Sequence, residues 1–108
     1  MPANPRPELS HPGIDDISLV GVLHALADPT RLTIVGTLTR EADGRACGTF
    51  PVNVAPSTLS HHFKVLREAG VIRQEERGNR RWTWLRTDAL DTRFPGLLQA
   101  VTAEGQCM

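Results

Sequence analysis

Residues 57–86 constrain this chain more tightly than any other stretch, because they allow one helix, one stop and one hairpin and little else. Leu59, Phe63, Leu66 and Ala69 recur at steps of four, three and three, with His62 and Val65 beside them. That period lets one stripe of a helix be buried. Ser57, Ser60, His61, Lys64 and Arg67 fall on the opposite stripe. Pro56 and Ser57 suit a helix start, where a hydroxyl accepts from an otherwise unpaired backbone N–H. Gly70 stands where a left-handed C-terminal residue is expected, with Val71 and Ile72 leading into a strand. Residues 72–76 and 82–86 then flank Arg77-Gly78-Asn79-Arg80, a Gly-Asn turn between two runs able to pair. Trp82 and Trp84 share one strand face, and Thr83 and Leu85 take the other.

The polar faces of this unit suit duplex DNA. Short hydroxyls at the start of the helix are sized for base edges, and long cations at its end reach phosphates. The segment carries Lys64, Arg67, Arg73, Arg77, Arg80, Arg81 and Arg86 against Glu68, Glu75 and Glu76, a local charge of +4. With 12 Lys+Arg and 12 Asp+Glu overall, the remainder is −4. A basic patch on a neutral chain favours site-selective binding over indiscriminate coating of nucleic acid. Ser57, Thr58, Ser60 and His61 are the candidate base-edge contacts. Lys64, Arg67, Arg77, Asn79 and Arg80 are assigned to phosphates or the minor groove.

The size of 108 residues fits one domain near the lower end at which a core alone supports folding, so dimerisation is a natural supplement. Residues 1–13, with four prolines before Gly13, are expected to be a flexible arm, residues 14–105 the DNA-binding and dimerisation domain, and residues 106–108 a tail. No stretch approaches the roughly 20 apolar residues of a membrane span. The N-terminus lacks the layout of a signal peptide, and the two cysteines make no disulfide framework, so a cytoplasmic location is expected. No glycine-rich phosphate loop and no paired carboxylates suggest enzymatic work or a cofactor. His61 and His62 are adjacent and point about 100° apart on a helix, so they cannot chelate one ion together. His62 reads as a partly buried structural residue, while His11 and His24 have no convergent partners. The tryptophans could stack on a ligand or on bases, or pack in the core beneath the hairpin.

The rest of the chain is helical. Residues 14–27 read as a first helix, with Ile17, Val20, Leu23, Leu26 and Ala27 apolar. Asp28 caps a second, with Pro29 at its first position, running to about Arg40. Gly48, Pro51 and the β-branched Thr49, Val52 and Val54 oppose a long helix across residues 46–55, where a short or distorted one is expected. Thr87 or Asp88 can cap a short turn, and Phe94-Pro95-Gly96 opens a C-terminal helix with Leu97, Leu98 and Val101 apolar. The fold class is mainly α with a small β-hairpin, a winged helix-turn-helix of about five helices plus a two-stranded wing. Apolar faces on the first and last helices would serve as a dimer seam, or else pack within the monomer.

Leu26-Ala27-Asp28-Pro29-Thr30-Arg31-Leu32, together with residues 57–72, resemble the ArsR/SmtB family of winged helix-turn-helix repressors, over about residues 14–105. The resemblance implies a homodimer on a palindromic operator that blocks transcription until an inducer lowers its affinity, with the first and last helices as its interface. The family's metalloid site is a Cys-x-Cys pair before the recognition helix; here Ala46-Cys47-Gly48-Thr49-Phe50 holds one thiol. A second family site takes Asp and His from the C-terminal helix, but residues 94–106 hold no His and only Glu104 as a carboxylate. A soft cation needs three or four N/S ligands, so no metal is expected. Cys47, with Cys107 as its partner, is the candidate sensing thiol for an unknown inducer, against the reading of Cys47 as a small core residue. Two alternatives stand beside this one: a metal- or metalloid-responsive repressor with a non-standard site, and a winged helix that docks an acidic protein partner.

Overall fold

The computed structural model describes residues 9–106. Among these residues five α-helices and three strands follow in the order α1 Leu19–Leu26, α2 Pro29–Leu38, β1 Arg45–Ala46, α3 Pro56–Glu68, β2 Ile72–Arg77, β3 Arg80–Leu85, α4 Thr87–Arg93 and α5 Leu97–Gln106. Single 3-10 turns precede α1 at Ile14–Asp16 and follow β1 at Cys47–Thr49. No helix among the described residues is long and apolar enough to cross a membrane.

The first expected helix divides in two. Ile17 adopts an extended backbone, and Ser18 caps α1, its hydroxyl accepting from Gly21 N at 3.0 Å. The break lets Ile17 turn fully inward, and the site of a Cβ on Gly70 lies only 2.6 Å from it. Gly70 therefore serves twice. Its φ of +87° ends α3, and its bare Cα leaves room for Ile17. At α2 the Asp28-Pro29 start holds, with Asp28 Oδ2 accepting from Arg31 N at 3.0 Å. This helix ends at Leu38, two residues short of the expected Arg40.

No α-helix forms between β1 and α3. Gly48, Pro51 and the β-branched residues leave one 3-10 turn and irregular chain, from which Phe50 enters the core. Its ring meets Phe63 edge-on at 5.2 Å between centroids. The core runs through Val22, Ile34, Leu38, Leu66, Ile72 and Leu90, and Leu98 of α5 joins it. Phe63 and Leu66 are the buried stripe of α3, each worth about 1.5–3 kcal/mol of burial. The start of α3 differs from expectation. Ala55 is the N-cap, no side chain caps it, and Ser57 lies inside the first turn with its hydroxyl free of that role.

The sheet has the order β1-β3-β2 and is antiparallel throughout. The β2–β3 hairpin pairs Ile72 with Leu85 and closes with Arg77 opposite Arg80, so Gly78 and Asn79 alone form the turn. Gly78, with φ +61°, supplies the Gly-first pattern of a two-residue hairpin turn. The third strand was not expected. Arg45 and Ala46 pair with Thr83 and Trp82, which anchors the middle of β3 to the loop after α2.

Candidate nucleic-acid interface

Two tethers fix α3 in place. One is the chain itself: Gly70 N donates to Arg67 O and Val71 N to Leu66 O, both at 3.0 Å, and β2 begins at the next residue. The other is Arg31 on α2. Its Nε donates to Ala25 O at 2.6 Å, and its Nη1 lies 3.0 Å from His62 Nδ1. An arginine N–H can only donate, so the His62 Nδ1 is the acceptor. His62 is buried, as its place beside the apolar stripe suggested. Burial pushes the Asp28 carboxyl up, yet the Arg31 backbone N–H and the Arg31 charge outweigh it and hold it below the ordinary carboxylate value.

Held this way, α3 turns Ser57, Thr58, Ser60, His61 and Lys64 to solvent. The spacing of 57, 60, 61 and 64 makes them neighbours on one helix face. Arg67 departs from that face. It is half-buried, its Nη1 donates to Gln74 Oε1 at 2.7 Å, and its Nε is sheltered from solvent without an acceptor. Burial, then the nearby Arg81 charge, lowers its pKa.

The hairpin carries its cations in two states. Arg80 and Asn79 are exposed at the tip, and Arg80 makes no ion pair among the described residues. Arg77 is exposed too, yet its guanidinium lies 4.8 Å from the Trp84 ring centroid and its Nε donates to Glu75 at 3.2 Å. Arg81 pairs with Glu76 at 2.9 Å. Exposed pairs of this kind contribute little, and a phosphate can displace them. The tryptophans do not pack in the core under the hairpin. Thr83 takes that side and is fully buried, while Trp82 and Trp84 cover the outer face, where Trp82 Nε1 donates to Asp43 O at 2.8 Å.

Cys47 is half-buried, and its Sγ lies 3.2 Å from both Thr83 Oγ1 and Gln74 Nε2. Burial pushes its thiol up, the reverse of what a reactive thiolate needs. Its surroundings are those of a packed, hydrogen-bonded side chain. Cys107 lies outside the described residues. Among these, no group of three His, Cys, Asp or Glu side chains converges as metal ligands would. His11, expected without a partner, accepts from Gln74 N at 3.0 Å through Nε2. Gln74 itself carried no signal in the sequence, since its partners are distant along the chain.

A helix with one polar face, a glycine stop and an arginine-bearing hairpin, set on the other four helices, define a winged helix-turn-helix. A helix-turn-helix domain model matches residues 26–75, which take in the end of α1, α2, α3 and most of β2. YceK of Bacillus subtilis (strain 168), an uncharacterized HTH-type transcriptional regulator, is 34% identical over 89 residues, spanning 81% of this chain and 89% of that protein. The chain belongs to the family of helix-turn-helix transcriptional regulators, proteins that act on DNA.

Proposed function

We propose that the chain is a homodimeric repressor of the ArsR/SmtB kind, which occupies a palindromic operator and leaves it on an inducing signal. The observation that carries this reading is the exposed face of α3, continuous in chain with the hairpin. Ser57, Thr58, Ser60 and His61 are assigned to base edges in the major groove, and Lys64, Arg77, Asn79 and Arg80 to phosphates or the minor groove. Arg67 belongs to this set only after release from Gln74.

The dimer rests on α1. Leu19, Val20 and Leu23 are 45%, 77% and 45% exposed on a helix of eight residues, an apolar face left uncovered by the described residues. The last helix contributes less than its sequence suggested, because Leu98 packs into the monomer core. Residues 14–105 serve as the DNA-binding and dimerisation unit, with half-site centres about one helical turn apart. Sedimentation of the free chain, followed by gel shift on duplexes selected from a random library, tests both parts. A dimer bound to inverted repeats is expected; a monomer bound to single half-sites contradicts the proposal. Cys47 remains the candidate for a thiol-directed signal, and its burial makes any such response slow. Release of the selected duplex by oxidant, lost in Cys47→Ser, is the result that assigns it.

A further inference from the structure

Gln74 is 1% exposed and stands where the recognition helix, the hairpin and the strand-linked loop meet. Its Oε1 accepts from Arg67 Nη1 of α3 at 2.7 Å. Its Nε2 donates to Thr83 Oγ1 of β3 at 3.1 Å and to Cys47 Sγ at 3.2 Å. Its backbone N–H donates to His11 Nε2 at 3.0 Å. The amide orientation follows from chemistry: a guanidinium only donates, so the oxygen must face Arg67 and the nitrogen the other two. Both amide hydrogens and the oxygen are then in use, on a side chain itself shut off from water.

We propose that Gln74 is a positioning residue for DNA reading: by holding Arg67 against the hairpin, it sets the last turn of α3 and keeps that cation off the DNA. The inference rests on α3 being the helix that reads DNA. The main chain tethers α3 to β2 at Gly70 and Val71, and Arg31 holds the middle of the helix through His62, so neither fixes the side chains of its last turn. The Arg67–Gln74 bond is a side-chain tether at the same end, and the sheltered, unpaired Arg67 Nε makes the guanidinium's order depend on it. Arg67 follows Lys64 by one turn, and Gln74 draws its side chain off the exposed face. Released, its guanidinium would reach for any phosphate, adding a contact blind to sequence and shifting how the face carrying Ser60 and His61 seats on the duplex. Random DNA would be held as well or better, and the chosen sequence less well.

The test uses full-length Gln74→Met, which keeps the shape without the polar atoms, and Gln74→Glu. In Gln74→Glu the carboxylate keeps Arg67, while the Thr83 hydroxyl and Cys47 thiol turn to donate. Affinity is read on a library-selected duplex and on random duplex, beside thermal melting. For Gln74→Met the selected-to-random ratio is expected to fall about tenfold, ~1.4 kcal/mol, with random-duplex affinity kept or raised. Gln74→Glu is expected to restore the ratio. An unchanged ratio in Gln74→Met overturns the proposal. So does a parallel loss on both duplexes that follows the melting temperature, or a failure of Gln74→Glu to rescue. Should the wild-type chain show no preference for any duplex, the DNA reading itself fails. The tether is then judged by the Arg67 Nε–Hε resonance: slow exchange in wild type and Gln74→Glu but fast in Gln74→Met supports it, and equal exchange in all three overturns it.

Discussion

Arg31 Nη1 lies 3.0 Å from Nδ1 of His62, joining α2 to the buried side of the recognition helix. The two blocks of sequence that most resemble a known repressor family meet at this contact. The same guanidinium holds the last turn of α1 through Ala25 O, so one side chain ties three helices together. Arg31→Met removes both bonds and leaves the His62 nitrogen without its donor. The expected cost is about 2 kcal/mol, as for buried hydrogen bonds to a charged group. In a domain of this size that lowers Tm by roughly 10 °C. A double-mutant cycle with His62→Ala should show coupling; strict additivity of the two losses would mean that the contact carries no energy.

Much of this was legible beforehand, and for a common reason. The apolar stripe of α3, the Asp28-Pro29 start of α2, the left-handed Gly70 and the Gly78-Asn79 turn each depend on residues within one or two turns of chain. What stayed hidden depends on distant partners. Strand β1 is two residues long and exists only because Thr83 and Trp82 lie beside it. Arg67 falls on the polar stripe by period, and only the position of Gln74 draws it inward. Ile17 and Val20 both fit the period of one continuous first helix. Yet Ile17 is pulled to Gly70 and Ser18 caps the shorter helix instead.

The acceptor role of His11 gives stability a pH dependence. Burial, then the Arg67, Arg86 and Arg73 charges, pushes its imidazole below the ordinary histidine value. The unfolded chain therefore binds this proton more readily than the folded one. Its contribution is present above the ordinary histidine pKa and is lost as pH falls through that value toward the folded one. Wild type should lose stability between about pH 7 and 5 more steeply than His11→Gln. Denaturant melts at a series of pH values check this, and parallel curves for the two chains would count against it.

Cys47 should behave as a slow thiol. Burial raises its pKa, and Thr83 and Gln74 enclose its sulfur. In a Cys107→Ser chain, alkylation by iodoacetamide at neutral pH is expected to lag a free cysteine by about tenfold or more and to accelerate on unfolding. Labelling at the rate of free cysteine in the folded chain would restore Cys47 as a ready sensor.

On the function proposed, the exposed face of α3 reads sequence while the hairpin tip supplies general attraction. His61 and Arg80 separate those roles, since both are exposed and neither is needed for the core. The most direct measurement is the ratio of affinities for a selected duplex and a random one, taken for wild type, His61→Ala and Arg80→Ala at matched salt. Wild type should favour the selected duplex by about 10³ or more. Arg80→Ala should weaken both duplexes alike, reducing the salt slope by about one, and His61→Ala should change which bases are preferred. No preference in wild type, or equal losses on both duplexes for both variants, would rule out this division of roles.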